Sequence, residues 1–258
     1  MVVLFNGYNP VMSMNMLTWA GAQLAAKGFV VATCYPSDSS LLDPAQWKDG
    51  ILNTINWMLA RNTSNYLAYN IQGMMDTGRI AAGGHSQGGV AALWAAGLDA
   101  RIKCVLSMAP PSPSMPIATS GYFAGNDPAI TFAPVIAAVP DITRPTMIIC
   151  DDKDTCVPPV YDLTYYDALP VSREIITVHS TNTGANVAGH VDYLDNISLG
   201  GLMGYPQDTN ARAVIQNYAV NWLSYWLQGN PAAYEAICGA GAQADLASGK
   251  LVQLDFEV

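Results

Sequence analysis

Charge is scarce in this chain. Asp, Glu, Lys and Arg make up 12% of 258 residues, and 11 basic residues face 20 acidic ones for a net charge of −9. A surface of that sign repels phosphate backbones and anionic lipid, which argues against nucleic acid as a partner. Long apolar runs are also missing: none approaches the roughly 20 residues that cross a bilayer, so no membrane span is expected. The start, Met1-Val2-Val3-Leu4-Phe5-Asn6, lacks the charged beginning of a signal peptide. The five cysteines (34, 104, 150, 156 and 238) contain no C-x-x-C pair, so a zinc cluster has no framework and no metal is expected. Cys34, Cys104 and Cys150 stand in apolar runs and read as buried small hydrophobes. An odd number leaves at least one thiol unpaired, and Cys156 with Cys238 could form one disulfide. Only three histidines occur, at 85, 179 and 190, so imidazole chemistry has three possible positions.

Apolar residues are abundant. At 51% hydrophobic, the chain can bury a sizeable core. Short apolar runs alternate with segments of helical period, which predicts one α/β domain over 1–258: a doubly wound, mostly parallel sheet flanked by helices. Strands are expected at 1–5, 29–34, 79–83, 103–108, 146–150 and 174–178, with an extra edge strand at 251–258 where Val252, Leu254, Phe256 and Val258 alternate. Helices are expected at 12–27, at 44–60 behind Asp43-Pro44, at 87–98 and at 210–228. Between 110 and 145 the rhythm breaks. Pro110, Pro111, Pro113, Pro116, Pro128, Pro134, Pro140 and Pro145 are eight of the sixteen prolines, and the segment reads either as a lid or pocket wall above the sheet's C-terminal edge or as a surface loop.

Gly84-His85-Ser86-Gln87-Gly88 follows an expected strand and opens an expected helix, the context of a nucleophile elbow. A serine on such a turn is exposed beside helix N–H groups that favour a developing oxyanion. It needs an imidazole to take its proton and a carboxylate to orient that imidazole. His85 is adjacent to Ser86 and reads as a wall residue. In the chain order serine, acid, histidine, the base is therefore His179 or His190. His190 is favoured, because the small-residue loop 184–190 can drape it over the sheet edge, while His179 reads as a strand-end residue. The acid belongs just after the strand TMIIC. Asp154, before Thr155-Cys156-Val157-Pro158, is assigned, with Asp151 in reserve and its two neighbours read as solvated turn residues. Backbone N–H groups of Gln87 and Tyr8 would form the oxyanion hole.

With these residues in place, the chain resembles the bacterial cutinases and polyester hydrolases of the α/β-hydrolase superfamily. VVLFNGYNP is similar to their strand and oxyanion loop, GHSQGG to their G-H-S-M-G-G, DKDTCVPP to their acid loop, and NWLSYWLQGNPAAYEAIC to their last helix and terminal cysteine segment. The resemblance implies the triad Ser86, Asp154 and His190 and the oxyanion pair Tyr8 and Gln87. Three departures qualify the substrate. Gln87 replaces a methionine of the aromatic subsite, Ala109-Pro110-Pro111 stands where a tryptophan clamp would be, and Gly189-His190-Val191-Asp192-Tyr193-Leu194-Asp195 looks more like the histidine loop of chlorophyllases. The resemblance also implies a start at the family's third strand, in a truncated or minimal version whose 251–258 strand covers an edge.

The expected function is serine carboxylester hydrolysis through an acyl-enzyme on apolar esters, including polyesters such as cutin or polyethylene terephthalate, with no cofactor. Tyr8, Gln87, Met108 and Val157 are the expected substrate contacts. A monomer is expected, and the resemblance implies secretion. The rivals are a lipase or chlorophyllase-like esterase of long-chain esters, and a non-catalytic ligand-binding scaffold.

Overall fold

A computed structural model describes residues 1–7, 16–35, 43–64, 70–116, 126–170, 172–182, 189–195 and 207–257. The strands are β1 (Val2–Phe5), β2 (Val31–Cys34), β3 (Ile80–His85), β4 (Ile102–Met108), β5 (Thr146–Asp151), β6 (Arg173–Val178) and β7 (Leu251–Glu257). They form one sheet in the order β2-β1-β3-β4-β5-β6-β7, parallel except for β7, which runs antiparallel along β6. β1, β3 and β5 are buried along their whole length, the pattern of strands covered on both faces. This is the α/β-hydrolase architecture, with helices flanking a mostly parallel sheet.

The helices are α1 (Thr18–Ala26), α2 (Pro44–Thr63), α3 (Gln87–Leu98), α4 (Pro128–Thr131), α5 (Ala133–Ala138), α6 (Leu163–Ala168), α7 (Thr209–Gln228), α8 (Pro231–Ile237) and α9 (Ala240–Ala247). Asp43 caps α2 by accepting the Ala45 N–H at 3.0 Å, with Pro44 in the first turn. α3 is Gly- and Ala-rich and buried around nearly its whole circumference, because small side chains let it lie between the sheet and its neighbours α2 and α5. On the other face, α7 sets Trp222 into the core, where its indole N–H donates to the Val105 carbonyl at 2.9 Å. No helix among the described residues is long and apolar enough to cross a membrane.

Several expectations are revised. Within the Pro-rich stretch, residues 128–141 form α4, α5 and a 3₁₀ turn between β4 and β5, with α5 and the 3₁₀ turn packed against α3 and α4 against α5; residues 117–125 lie outside the described set. α1 begins at Thr18 instead of residue 12, and residues 8–15 are also outside the described set. All five cysteines are free. The Cys156–Cys238 disulfide is absent because the Cys238 thiol instead donates to buried Glu174 at 3.2 Å, while Cys156 is buried in the turn after β5. Cys34 is only half-buried, since β2 is an edge strand, and its sulfur accepts from the Thr54 hydroxyl at 3.7 Å.

Candidate active site

β3 passes into α3 through Ser86 alone. Ser86 has φ 55° and ψ −121°, a conformation that costs a non-glycine residue about 1–3 kcal/mol. Its N–H donates to the Met108 carbonyl at 2.8 Å and its carbonyl accepts the Val90 N–H at 3.1 Å, so the surrounding backbone imposes the turn. The turn can be this tight because position 88 carries no side chain: a Cβ on Gly88 would stand 2.0 Å from the Phe5 carbonyl oxygen. The end of β1 therefore packs backbone to backbone on the start of α3, and Gly7 lies directly against Ser86.

His190 comes from the turn-rich segment 189–195 beyond β6. Gly189 has φ 77°, and a Cβ there would fall 2.4 Å from the Asp154 nitrogen, so the segment docks directly on the turn after β5. This brings His190 Nδ1 to 2.7 Å from Asp154 Oδ2. The other carboxylate oxygen of Asp154 accepts the N–H groups of Cys156 at 2.9 Å and Val157 at 2.7 Å. Two backbone donors and one imidazole thus hold a fully enclosed carboxylate. Fixing the Nδ1 proton on Asp154 leaves Nε2 to meet an incoming group. The His190 ring centroid is 4.4 Å from that of His85, the residue preceding Ser86. Among the described residues no hydrogen bond joins Ser86 to His190, and such contacts commonly tighten when substrate binds.

His85 is a buried wall residue, its ring stacked 5.1 Å from Tyr193. Burial, and then the facing His190, hold its pKa well below the usual imidazole range, so it stays neutral beside His190. Asp151 and Asp152 depart from the solvated turn expected of them. Asp151 ends β5 fully buried, and burial pushes its carboxyl up to about 8 against the Lys153 N–H that it accepts. Asp152 is partly buried and accepts from His179, whose Nδ1 lies 2.9 Å away, from the Ser180 N–H and from Lys153. Asp192 is buried too; burial raises it to about 6, against the Asp208 N–H and the Ser180 hydroxyl that donate to it.

The structure therefore brings Asp154 and His190 together beside the Ser86 turn and places His179 with Asp152 instead. Tyr8 lies outside the described residues. Gln87 is the first residue of α3; its side chain is buried, and among the described residues neither of its amide atoms has a hydrogen-bond partner. Met108, at the end of β4, and Val157, in the Asp154 turn, are enclosed by protein. Sequence reasoning missed Gly189 and Asp192 as parts that seat the histidine. Both stand in GHVDYLD, but nothing in their spacing says what they meet. Among the described residues no group of three or more His, Cys, Asp or Glu side chains converges as a metal site requires.

A family model described as PET hydrolase-like (PETase) matches residues 1–119, the stretch that carries β1, the Ser86 turn and α3. This chain resembles PET hydrolases. A bis(hydroxyethyl) terephthalate hydrolase of Streptomyces coelicolor is 21% identical over 238 residues, covering 92% of this chain. The chain spans 60% of that relative's length.

Proposed function

We propose that this protein hydrolyses carboxylic esters through a covalent acyl-enzyme on Ser86. The observation that carries the proposal is the enclosed 2.7 Å pair of His190 and Asp154, set against the residue next to a serine on a strained strand-to-helix turn. Ser86 Oγ attacks the ester carbonyl as its proton passes to His190 Nε2. The tetrahedral oxyanion faces the Gln87 N–H and, in the same proposal, the N–H of Tyr8. Collapse breaks the acyl C–O bond, His190 returns the proton to the departing alcohol, and Ser86 keeps the acyl group. Water, deprotonated by the same imidazole, then releases the acid and restores the serine. Asp154 holds the imidazole in the useful tautomer and stabilises its charge.

Apolar and aryl esters are the substrate class, from short acyl esters to polyesters such as cutin or polyethylene terephthalate. The name of the Streptomyces relative supports a terephthalate diester as the small test substrate. Gln87, Met108 and Val157 are enclosed, so their part is to shape the floor beneath the reacting ester. Secretion belongs to the same proposal and rests on the resemblance alone.

The test is hydrolysis of p-nitrophenyl esters from acetate to palmitate, and of bis(hydroxyethyl) terephthalate, by wild type and Ser86→Ala. Rapid turnover of short chains and of the terephthalate diester, abolished in the variant, is the expected result. A preference for palmitate moves the protein to the lipases. Absence of turnover by wild type, with ligand binding intact in Ser86→Ala, overturns the proposal in favour of a scaffold.

A further inference from the structure

α1 starts without a cap of its own. Its N-cap position is Leu17, which has no side-chain acceptor, and no acidic residue lies in its first turn. The first N–H groups of a helix need acceptors and carry a partial positive charge. Here they are met by Asp195, whose Oδ2 accepts from the Thr18 N–H and hydroxyl, both at 2.8 Å, and whose Oδ1 accepts from the Trp19 N–H at 2.8 Å. Two more bonds run beside it: the Asp195 N–H donates to the Met16 carbonyl at 2.8 Å, and the Trp19 indole N–H to the Tyr193 carbonyl at 2.9 Å.

The two segments joined here are the ones the proposed chemistry must hold in register. Residues 189–195 carry His190 and, through Tyr193, the stack on His85. Met16 and α1 end the connection that leaves β1 at Asn6 and Gly7, beside Ser86. Asn6 and Met16 are also joined directly, Asn6 Oδ1 accepting the Met16 N–H at 3.2 Å. At its other end the His190 segment is seated on the acid turn by Gly189, and at its centre by Asp192, which receives the Asp208 N–H at 2.7 Å and the Ser180 hydroxyl at 2.9 Å.

We infer that Asp195 is a positioning residue for ester hydrolysis, bracketing the His190 segment to the N-terminus of α1 so that the imidazole and the serine turn keep one geometry. It touches no reacting atom and acts through His190, and the inference rests on the proposed serine chemistry. A displacement of about 1 Å at a reacting group can cost on the order of 100-fold in rate. A residue that merely capped a helix would change stability and leave turnover of the folded enzyme alone.

The experiment compares wild type, Asp195→Ala, Asp195→Asn and Thr18→Ala with p-nitrophenyl butyrate, together with Tm and circular dichroism at the assay temperature. Asp195→Ala is expected to lower kcat about tenfold or more, with KM within about threefold. Asp195→Asn, which keeps one carbonyl acceptor, is expected to recover most of the loss. A folded Asp195→Ala with wild-type kcat overturns the inference while leaving the serine mechanism standing. Should Asp195→Ala not fold, Thr18→Ala decides: a lower kcat at nearly unchanged Tm supports the bracket, and an unchanged kcat overturns it. Failure of wild type to turn over any ester, by contrast, removes the serine mechanism itself and the bracket with it.

Discussion

Asp152 and Asp154 stand two residues apart after β5, and each meets the Nδ1 of a histidine, at 2.9 Å for His179 and 2.7 Å for His190. By distance the two pairs are nearly the same; their surroundings are not. The His179 side chain is 43% exposed, against 12% for His190. Asp152 shares itself among His179, the Ser180 N–H and the Lys153 ammonium; although burial pushes its carboxyl up, these partners hold it below the usual carboxylate range. Among the described residues Asp154 pairs with no Lys or Arg and is sealed from water, where each polar contact is worth more. Beyond the rings the contrast continues. His190 faces His85 and the Ser86 turn, while His179 lines a separate cleft of about 470 Å³ with Thr181, Asp208, Asn210, Asp245 and Lys250. A short His–Asp contact is therefore common to the pair proposed as catalytic and to a surface pair, and what separates them is enclosure and what each ring faces.

The largest expected effect lies between the two imidazoles. On the proposed chemistry His190→Ala lowers kcat for p-nitrophenyl butyrate on the order of 10⁴-fold or more, while His179→Ala stays within about threefold. Equal losses would break the contrast, and a loss confined to His179→Ala would reverse it. The carboxylates come next. Asp154→Asn is expected to cost about 10³- to 10⁴-fold in kcat by favouring the wrong tautomer of His190. Asp152→Asn should leave kcat within about twofold and change stability by about 0–1 kcal/mol in thermal melts, the usual worth of a partly exposed pair.

The smallest effect concerns Asp151, which lies beside both pairs yet is fully buried with no histidine partner. Its carboxyl is raised from 3.8 to about 8 in the folded state, chiefly by burial. The folded protein therefore holds a proton that the unfolded chain releases, so this contribution is complete below about pH 4 and is lost as pH rises towards 8. Asp192, raised to about 6, and Glu174, raised to about 8, act in the same direction. Wild-type Tm is expected to fall between pH 5 and 8.5, and Asp151→Asn to fall less by on the order of a few degrees. Parallel curves for the two proteins would mean that Asp151 ionises freely in the fold.

The strands and the longer helices were legible because their periodicity runs for enough residues to be read. The expected helix 87–98 is α3 itself, and the seven expected strands appear, most of them shifted by only a residue or two. The shorter helices α4, α5, α6 and α8 hold too few residues for a period to declare itself. Even so, Asp127-Pro128 and Asn230-Pro231 carry the cap-and-proline start recognised at Asp43-Pro44, and both caps accept the expected N–H, at 2.9 and 3.1 Å. The carboxylates were harder. In Asp151-Asp152-Lys153-Asp154 the residue types are equivalent on paper. Their fates differ because Asp151 still belongs to β5, Asp152 turns towards His179, and Asp154 sits where two N–H groups converge.

The sequence by itself determined the alternation of strand and helix, the serine turn between glycines, and the order in the chain of Ser86, Asp154 and His190. All of these follow from local sterics and from periodicity, which need no distant partner. Only the tertiary structure decided which histidine meets which carboxylate, why Cys156 and Cys238 stay apart, and what caps α1. Each of those outcomes joins residues far apart in the chain, up to 177 positions between Thr18 and Asp195, and only packing brings such groups within hydrogen-bonding reach.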